Sequence, residues 1–308
     1  MNSTTATPTF RVGVIGAGRV GAVLAAALRD AGHRIVAAGG ESDASRHRIA
    51  ELLPGTTHAK PTTVARACDL LLLTVPDDML DNVVRMLTAS GALRAGQYVA
   101  HTSGRHGLDV LGPAVDHGVH GMALHPAMTF TGTARDLPRL VDCAFGVTAE
   151  DPPAVALAEQ VVADLRGRLV WVPEDKRTIY HAGLAHGANH LVTLVSQSME
   201  LLRESGATDP AATLRPLLNA ALDNALNMGD AALTGPVVRG DVETVRAHLD
   251  GIARTRPGTL PAYVALARAT VNTAVLDGRL VPMRAAKLVG VLNDALEQLT
   301  PPEPRWAG

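Results

Sequence analysis

Histidines, lysines, hydroxyls and amides gather in three stretches of this chain. One run carries Lys176, Tyr180, His181, His186, Asn189 and His190 within a helical pattern, a dense set of proton-transfer groups for one segment. His181 and Asn189 are eight residues apart, a spacing read as one helix face. There His181 could give a proton to a developing alkoxide and Asn189 could orient the substrate oxygen. Lys176 is the competing proton donor. The other two stretches are His101-Thr-Ser103-Gly104 and Leu124-His125-Pro-Ala-Met-Thr129, each following a short apolar run. Arg239, beside a glycine turn, could clamp a carboxylate bidentately, or could pair with Asp241 as a structural contact. Blander roles compete throughout, since Ser103 could cap a turn and His125 could satisfy local backbone groups.

Positioning such groups requires a frame, and the frame begins at Arg11. The apolar run Val12 to Ile15 enters Gly16-Ala17-Gly18-Arg19-Val20-Gly21, and apolar residues at i, i+3 and i+4 follow from Val20 to Ala31. Strand, glycine turn and helix in that order form a dinucleotide-binding element. Gly16 permits the turn, Gly18 lets a pyrophosphate reach the backbone, and Gly21 brings helix and strand together. The helix N-terminus favours the phosphates. Residues 16–21 are therefore expected to bind cofactor, with Val75 and Pro76 at the end of the apolar run Leu70 to Val75.

After the second strand, Ile35 to Ala38, the chain reads Gly39-Gly40-Glu41-Ser42-Asp43-Ala-Ser45-Arg46-His-Arg48. Hydroxyls and arginines suit a 2′-phosphate, so Ser42, Ser45 and Arg46 favour NADP, while Glu41 and Asp43 keep NAD open. Helices are expected near 44–53 and 62–67, with Asp77 or Asp78 capping the helix after Pro76. Strands are expected at 97–100, 119–124, 142–147 and 168–172, with a helix at 154–165. The fold class is thus α/β, a doubly wound Rossmann sheet over residues 10–172. From residue 173 the period changes to 3.6, giving an all-helical domain to residue 300. Its elements are one long helix from 174 to 204 and further helices near 211–227, 242–253, 260–277 and 283–299. Gly183 and Gly187 suit close packing against a partner helix. Residues 1–9 read as disordered and residues 301–308 as a loose tail.

Composition narrows the partners. Twenty-eight basic and 30 acidic residues give a net charge of -2, so neither nucleic acid nor an anionic membrane is an expected partner. Cys68 and Cys143 stand apart with no metal-ligand spacing, which predicts reduced structural thiols, no metal site and a cytoplasmic protein.

Together, Gly13 to Gly21, Thr74-Val-Pro-Asp-Asp78, His101 to Gly104, Leu124 to Phe130, Tyr180-His181 with Asn189, Leu233-Thr-Gly-Pro236 and Arg239-Gly-Asp241 resemble a bacterial group of Rossmann-like oxidoreductases. The all-helical C-terminal domain of that group has no assigned function. These look like relatives of the 6-phosphogluconate dehydrogenase, pyrroline-5-carboxylate reductase and ketopantoate reductase superfamily. The resemblance implies NAD(P)-linked hydride transfer, a homodimer built through the helices, and substrate contacts at Ser103 and Gly104. Hydroxyacid dehydrogenases of that superfamily place Asn four residues after the helical Lys, whereas Tyr180 stands four residues after Lys176. Either His181 has taken the acid role or the chemistry differs. The expected activity is reduction of a small carboxylate-bearing carbonyl compound, a ketopantoate-like 2-oxo acid, with His125 and Arg239 among the substrate contacts. An imine of the pyrroline-carboxylate type, or a non-catalytic NADP-binding sensor or scaffold, are the alternatives.

Overall fold

The computed structural model describes residues 9–298. The expectations for residues 1–8 and 301–308 lie outside this range. Two compact units divide the chain, Met1–His186 and Gly187–Gly308.

The first unit is built on one eight-stranded sheet in the order β3-β2-β1-β4-β5-β6-β7-β8. The strands are β1 (Arg11–Ile15), β2 (Arg34–Gly39), β3 (Thr57–His58), β4 (Leu70–Leu73), β5 (Tyr98–His101), β6 (His120–Pro126), β7 (Ala144–Thr148) and β8 (Arg168–Trp171). Helices α1 (Arg19–Asp30), α2 (Asp43–Leu52), α3 (Pro61–Ala67), α4 (Asp77–Ala89), α5 (Gly112–Val115), α6 (Pro152–Asp164) and α7 (Arg177–Leu184) complete it.

The two-residue alternation of a strand explains why β4 is apolar throughout. Leu70 and Leu72 enter one core, with Val23, Leu28 and Leu157 of α1 and α6. Leu71 and Leu73 enter the other, with Val64, Leu80 and Val84 of α3 and α4. All strand pairs are parallel except β6 with β7, which are antiparallel. Consequently the segment from Pro126 to Ala144 leaves and rejoins the sheet at the carboxyl edge of β6, the edge where open α/β folds bind ligands.

Several local expectations need correction. The segment 174–204 is not one helix, because a 3-10 turn (Glu174–Lys176), α7, a π turn (Ala185–Asn189) and α8 (His190–Glu204) follow one another. A π turn holds more residues than an α turn, so regular helical spacing from His181 to Asn189 is lost. Asp77 and Asp78 occupy the first turn of α4 and do not cap it, since Pro76 holds the cap position with no side-chain hydrogen bond. There they meet the positive end of the helix. The strand expected from Asp142 starts at Ala144, because Asp142 has a left-handed φ of 61°.

The second unit holds no strand among the described residues. It comprises α8, α9 (Pro210–Met228), α10 (Pro236–Arg239), α11 (Val242–Thr255), α12 (Leu260–Leu276) and α13 (Pro282–Glu297). Val245, Leu249, Leu260, Val264, Val271, Leu288 and Leu292 form its core. Asp241 caps α11, accepting from the Thr244 N–H at 3.1 Å.

Candidate dinucleotide and catalytic site

The glycine turn runs from β1 into α1 as its spacing requires. Gly16 has φ +92°, and a Cβ on it would lie 2.7 Å from the Thr74 and Val75 backbone. At Gly21 a Cβ would lie 2.1 Å from Thr74 Oγ1, a hydroxyl that donates to the Gly16 carbonyl at 2.6 Å. Gly18 differs: a Cβ there would meet only the Gly16 carbonyl, at 3.8 Å. The protein's own packing does not require glycine at 18, so the bare backbone is available to a ligand. Gly18 caps α1 without a side-chain hydrogen bond, which leaves the first N–H groups of α1 free for an anion.

A cleft of about 1200 Å³ opens over this turn. Gly16, Gly18, Arg19, Val20, Ser42, Ser45, Arg46, Val75, Pro76 and Ser103 of the expected residues line it, while Ala17 is buried beneath. Toward the ribose end, the Ser42 hydroxyl caps α2 through the Ser45 N–H at 3.1 Å and meets the Ser45 hydroxyl at 2.9 Å. Arg46 is engaged by the Glu41 carbonyl at 2.5 Å and by the Asp43 carboxylate. Among the described residues, Arg19, Arg48 and Lys60 line the cleft without such a partner. Lys60 and His58 come from the short β3 and the turn after it, where the sequence offers little periodicity to reveal them.

At the other end, Val75, Pro76, Thr102 and Ser103 form the wall. Ser103 Oγ accepts the His106 N–H at 3.1 Å, so its O–H remains a donor. Next to it, a Cβ on Gly104 would lie 2.4 Å from His181 Cδ2 and 3.0 Å from His125 Nε2. The His125 and His181 rings stand edge to face with centroids 5.7 Å apart. Tyr180 Oη lies 3.1 Å from His125 Nδ1, and Gly146 leaves room for the phenol, since a Cβ there would fall 2.4 Å from that oxygen. Burial, reinforced by the charges of Arg177 and His181, pushes His125 down to about 4. Burial raises the Tyr180 phenol above its usual value, against the pull of Arg177. At neutral pH the pair is therefore uncharged. In the tautomer where the Tyr180 hydroxyl donates to Nδ1, His125 carries its proton on Nε2, the nitrogen beside Gly104.

Arg177 holds this arrangement together and was not anticipated. It is 1% exposed. Its guanidinium donates to the carbonyls of Ser103 at 2.5 Å, His106 at 2.9 Å and Gly146 at 3.0 Å, and to Thr148 Oγ1 at 3.4 Å. One side chain thus ties the Ser103 loop to β7 and to the helix that carries Tyr180 and His181. His101 is fully buried and held at about 4 by burial. Its ring braces the same loop, with Nε2 2.8 Å from the Gly107 carbonyl and Nδ1 accepting the Ser103 N–H at 3.2 Å.

Residues 1–126 match the model of the Rossmann-like domain, and residues 143–270 match the model of the domain of unknown function DUF2520. The chain joins a Rossmann-like domain to a DUF2520 domain. Cys143 opens the DUF2520 match, so β7, Arg177, Tyr180 and His181 fall within it, whereas Gly16 to Gly21, Ser103, Gly104 and His125 belong to the Rossmann-like match. No curated protein matches the chain. Solved structures do resemble it. Protein BF3122 from Bacteroides fragilis is 21% identical with a TM-score of 0.73, over 85% of this chain and 98% of that one. An imine reductase from Pseudomonas sp. is 17% identical with a TM-score of 0.64, over 94% and 100%. An imine reductase from Myxococcus stipitatus, in complex with NADP+, is 18% identical with a TM-score of 0.57, over 94% and 95%. At such identities the likeness is one of fold.

Three further expected residues fall within the DUF2520 match. Lys176 stands in the 3-10 turn before α7, exposed, and its ammonium pairs with Asp175 at 2.7 Å. Asn189 ends the π turn and Arg239 ends α10, both exposed and both in the second unit. Among the described residues no group of side chains could hold a metal ion, and no helix is long and apolar enough to cross a membrane.

Proposed function

We propose that this protein is an NADPH-dependent reductase of a C=N bond in a small molecule. The carrying observation is that an uncapped glycine turn, unpaired cations and a histidine pair line up along one carboxyl sheet edge. Gly16 to Gly21 and the start of α1 would hold the pyrophosphate, with Arg48 and Lys60 toward the 2′-phosphate and Val75 and Pro76 against the nicotinamide. When bound, the reduced cofactor supplies the hydride. His181 donates the proton to the substrate nitrogen, and the neutral His125 donates a hydrogen bond through Nε2–H, with the Ser103 hydroxyl as a second donor. Tyr180 and Arg177 hold these donors in place. In this assignment His181 is favoured over Lys176 as the acid, because Lys176 is exposed and already paired with Asp175.

An imine is preferred to the 2-oxo acid of the sequence reading because two similar structures are imine reductases by name. Asn189 and Arg239 are retained as candidates for substrate contact from the helical domain. The assembly we propose is a homodimer through that domain. Leu191, Val192, Leu217, Leu222, Leu226 and Met228 on α8 and α9 are exposed, Leu226 by 78%, an apolar face that a second copy would cover.

The test is a fluorescence titration with NADPH and NADH, followed by a screen of cyclic imines and 2-oxo acids for loss of reduced-nicotinamide absorbance. Preferential NADPH binding with imine turnover supports the proposal. Binding without turnover of either class favours the non-catalytic sensor, and no binding removes the dinucleotide reading.

A further inference from the structure

The segment between β6 and β7 forms a strap with both feet on the carboxyl edge of the sheet. The Ala127 N–H donates to the Ala144 carbonyl at 2.8 Å, and the Asp142 N–H to the Arg166 carbonyl at 2.9 Å. Between the feet, Met128, Phe130, Leu137 and Leu140 pack on the core shared with α1 and α6. At its centre Asp136 is fully buried. That carboxylate accepts the Thr131 and Gly132 N–H groups at 2.8 Å each and the Thr131 hydroxyl at 3.0 Å, with Arg139 Nη1 at 3.8 Å. Burial acts to raise its pKa, but these donors prevail and hold it below the usual carboxylate range.

The turn so fixed has a second side. Gly132 has φ +80°, and a Cβ on it would lie 2.7 Å from Arg48 Nε and 2.9 Å from Arg19 Cγ. Its bare backbone therefore abuts two arginines from different helices, both lining the cleft and neither partnered by a carboxylate among the described residues. A guanidinium backed by fixed backbone loses less freedom on meeting a phosphate than one free in solvent.

We propose that the strap is a cofactor-selecting element: Asp136 fixes the Thr131–Gly132 turn, and the turn holds Arg48 toward the 2′-phosphate and Arg19 toward the pyrophosphate. Asp136 is a positioning residue, acting through Arg48. This inference rests on the NADPH reading of the cleft, and the experiment separates the two.

NADPH and NADH dissociation constants are measured for the wild type, D136N, R48M and the double variant, with thermal unfolding as a control. D136N is expected to lower the NADPH-over-NADH preference about ten-fold, the size of one charge-assisted hydrogen bond. In the R48M background it is expected to change that preference no further, since residues acting through one contact are non-additive. A purely structural role would lower stability equally in both backgrounds and leave the preference alone. Should D136N fail to fold, G132A replaces it, because its methyl group must displace Arg48. An unchanged preference in a folded variant, or losses that add, overturns the inference and leaves the NADPH reading standing. Wild-type protein that binds neither nucleotide, or prefers NADH, overturns both.

Discussion

Substituting Gly104 by alanine isolates the proposed chemistry from the fold. Gly104 is absent from the positive-φ glycines, so a methyl group there adds no backbone strain of the left-handed kind. What it adds is a Cβ 2.4 Å from His181 Cδ2, 2.9 Å from His181 Cγ and 3.0 Å from His125 Nε2. Ordinary contact begins near 3.4 Å, so the His181 ring must retreat by about 1 Å, the difference between those two distances. A misplacement of about 1 Å in a catalytic group costs on the order of a hundred-fold in rate. The expected result for Gly104→Ala is a kcat lower by about that factor on the imine found in the screen. NADPH affinity should stay within about two-fold, because the methyl group lies beyond the cofactor cleft, and a rotamer change at an intermediate-exposure His181 should cost only about 1 kcal/mol of stability. Stopped-flow reduction under single-turnover conditions separates the chemical step from product release. Full retention of that rate would refute the assignment of His181 to proton transfer.

Other outcomes follow from the same geometry. Gly18→Ala should destabilise the fold by only about 1 kcal/mol, because alanine is the poorer N-cap but the site is open, yet weaken NADPH binding markedly in the titration. Gly21→Ala places a methyl group 2.1 Å from Thr74 Oγ1 and 2.7 Å from the Gly16 carbonyl, so it should destabilise the fold by about 1–3 kcal/mol in urea melts. His101 and His125 have folded pKa values near 4 against a usual 6.5. The unfolded chain therefore binds the extra protons, so stability is lost as pH falls from 6.5 to 4, by up to about 3 kcal/mol per histidine. Urea midpoints that stay flat across that window would contradict both depressed values. Leu226→Glu should shift a dimer toward monomer in sedimentation, and an unaltered sedimentation coefficient would place the subunit contact elsewhere.

Much of the frame was legible because its signals are local. The turn from Gly16 to Gly21 and the apolar β4 carry their periods within a few residues, and Ser103 stands just after β5 while His125 sits near the end of β6. What escaped depends on partners far along the chain. Nothing around Arg177 announces that it will be buried against Ser103, 74 residues away, and Gly146, 31 residues away. The reversed direction of β7 likewise leaves no local mark, although it decides where the strap and α7 run. Arg46 is a different kind of case, because Asp43 three residues earlier was visible as a helix-spaced partner. The π turn at Ala185–Asn189 broke the spacing that tied His181 to Asn189, and a turn wider by one residue has no reliable sequence signature.

The hydrogen bonds of Arg177 all go to neutral oxygens, three of them backbone carbonyls. Its charge is solvated by these oxygens and meets no carboxylate in a hydrogen bond among the described residues, although Glu174 and Asp77 act on it through space, and a guanidinium does not lose that charge over any accessible pH. The Ser103–Gly104 loop thus rests on a guanidinium floor installed by folding, whose field the nearby Glu174 and Asp77 temper. Such a floor discriminates by sign before any shape is tested. For the proposed imine reductase, cationic ammonium compounds would be disfavoured near the loop, whereas a neutral imine that carries a carboxylate would be drawn toward it.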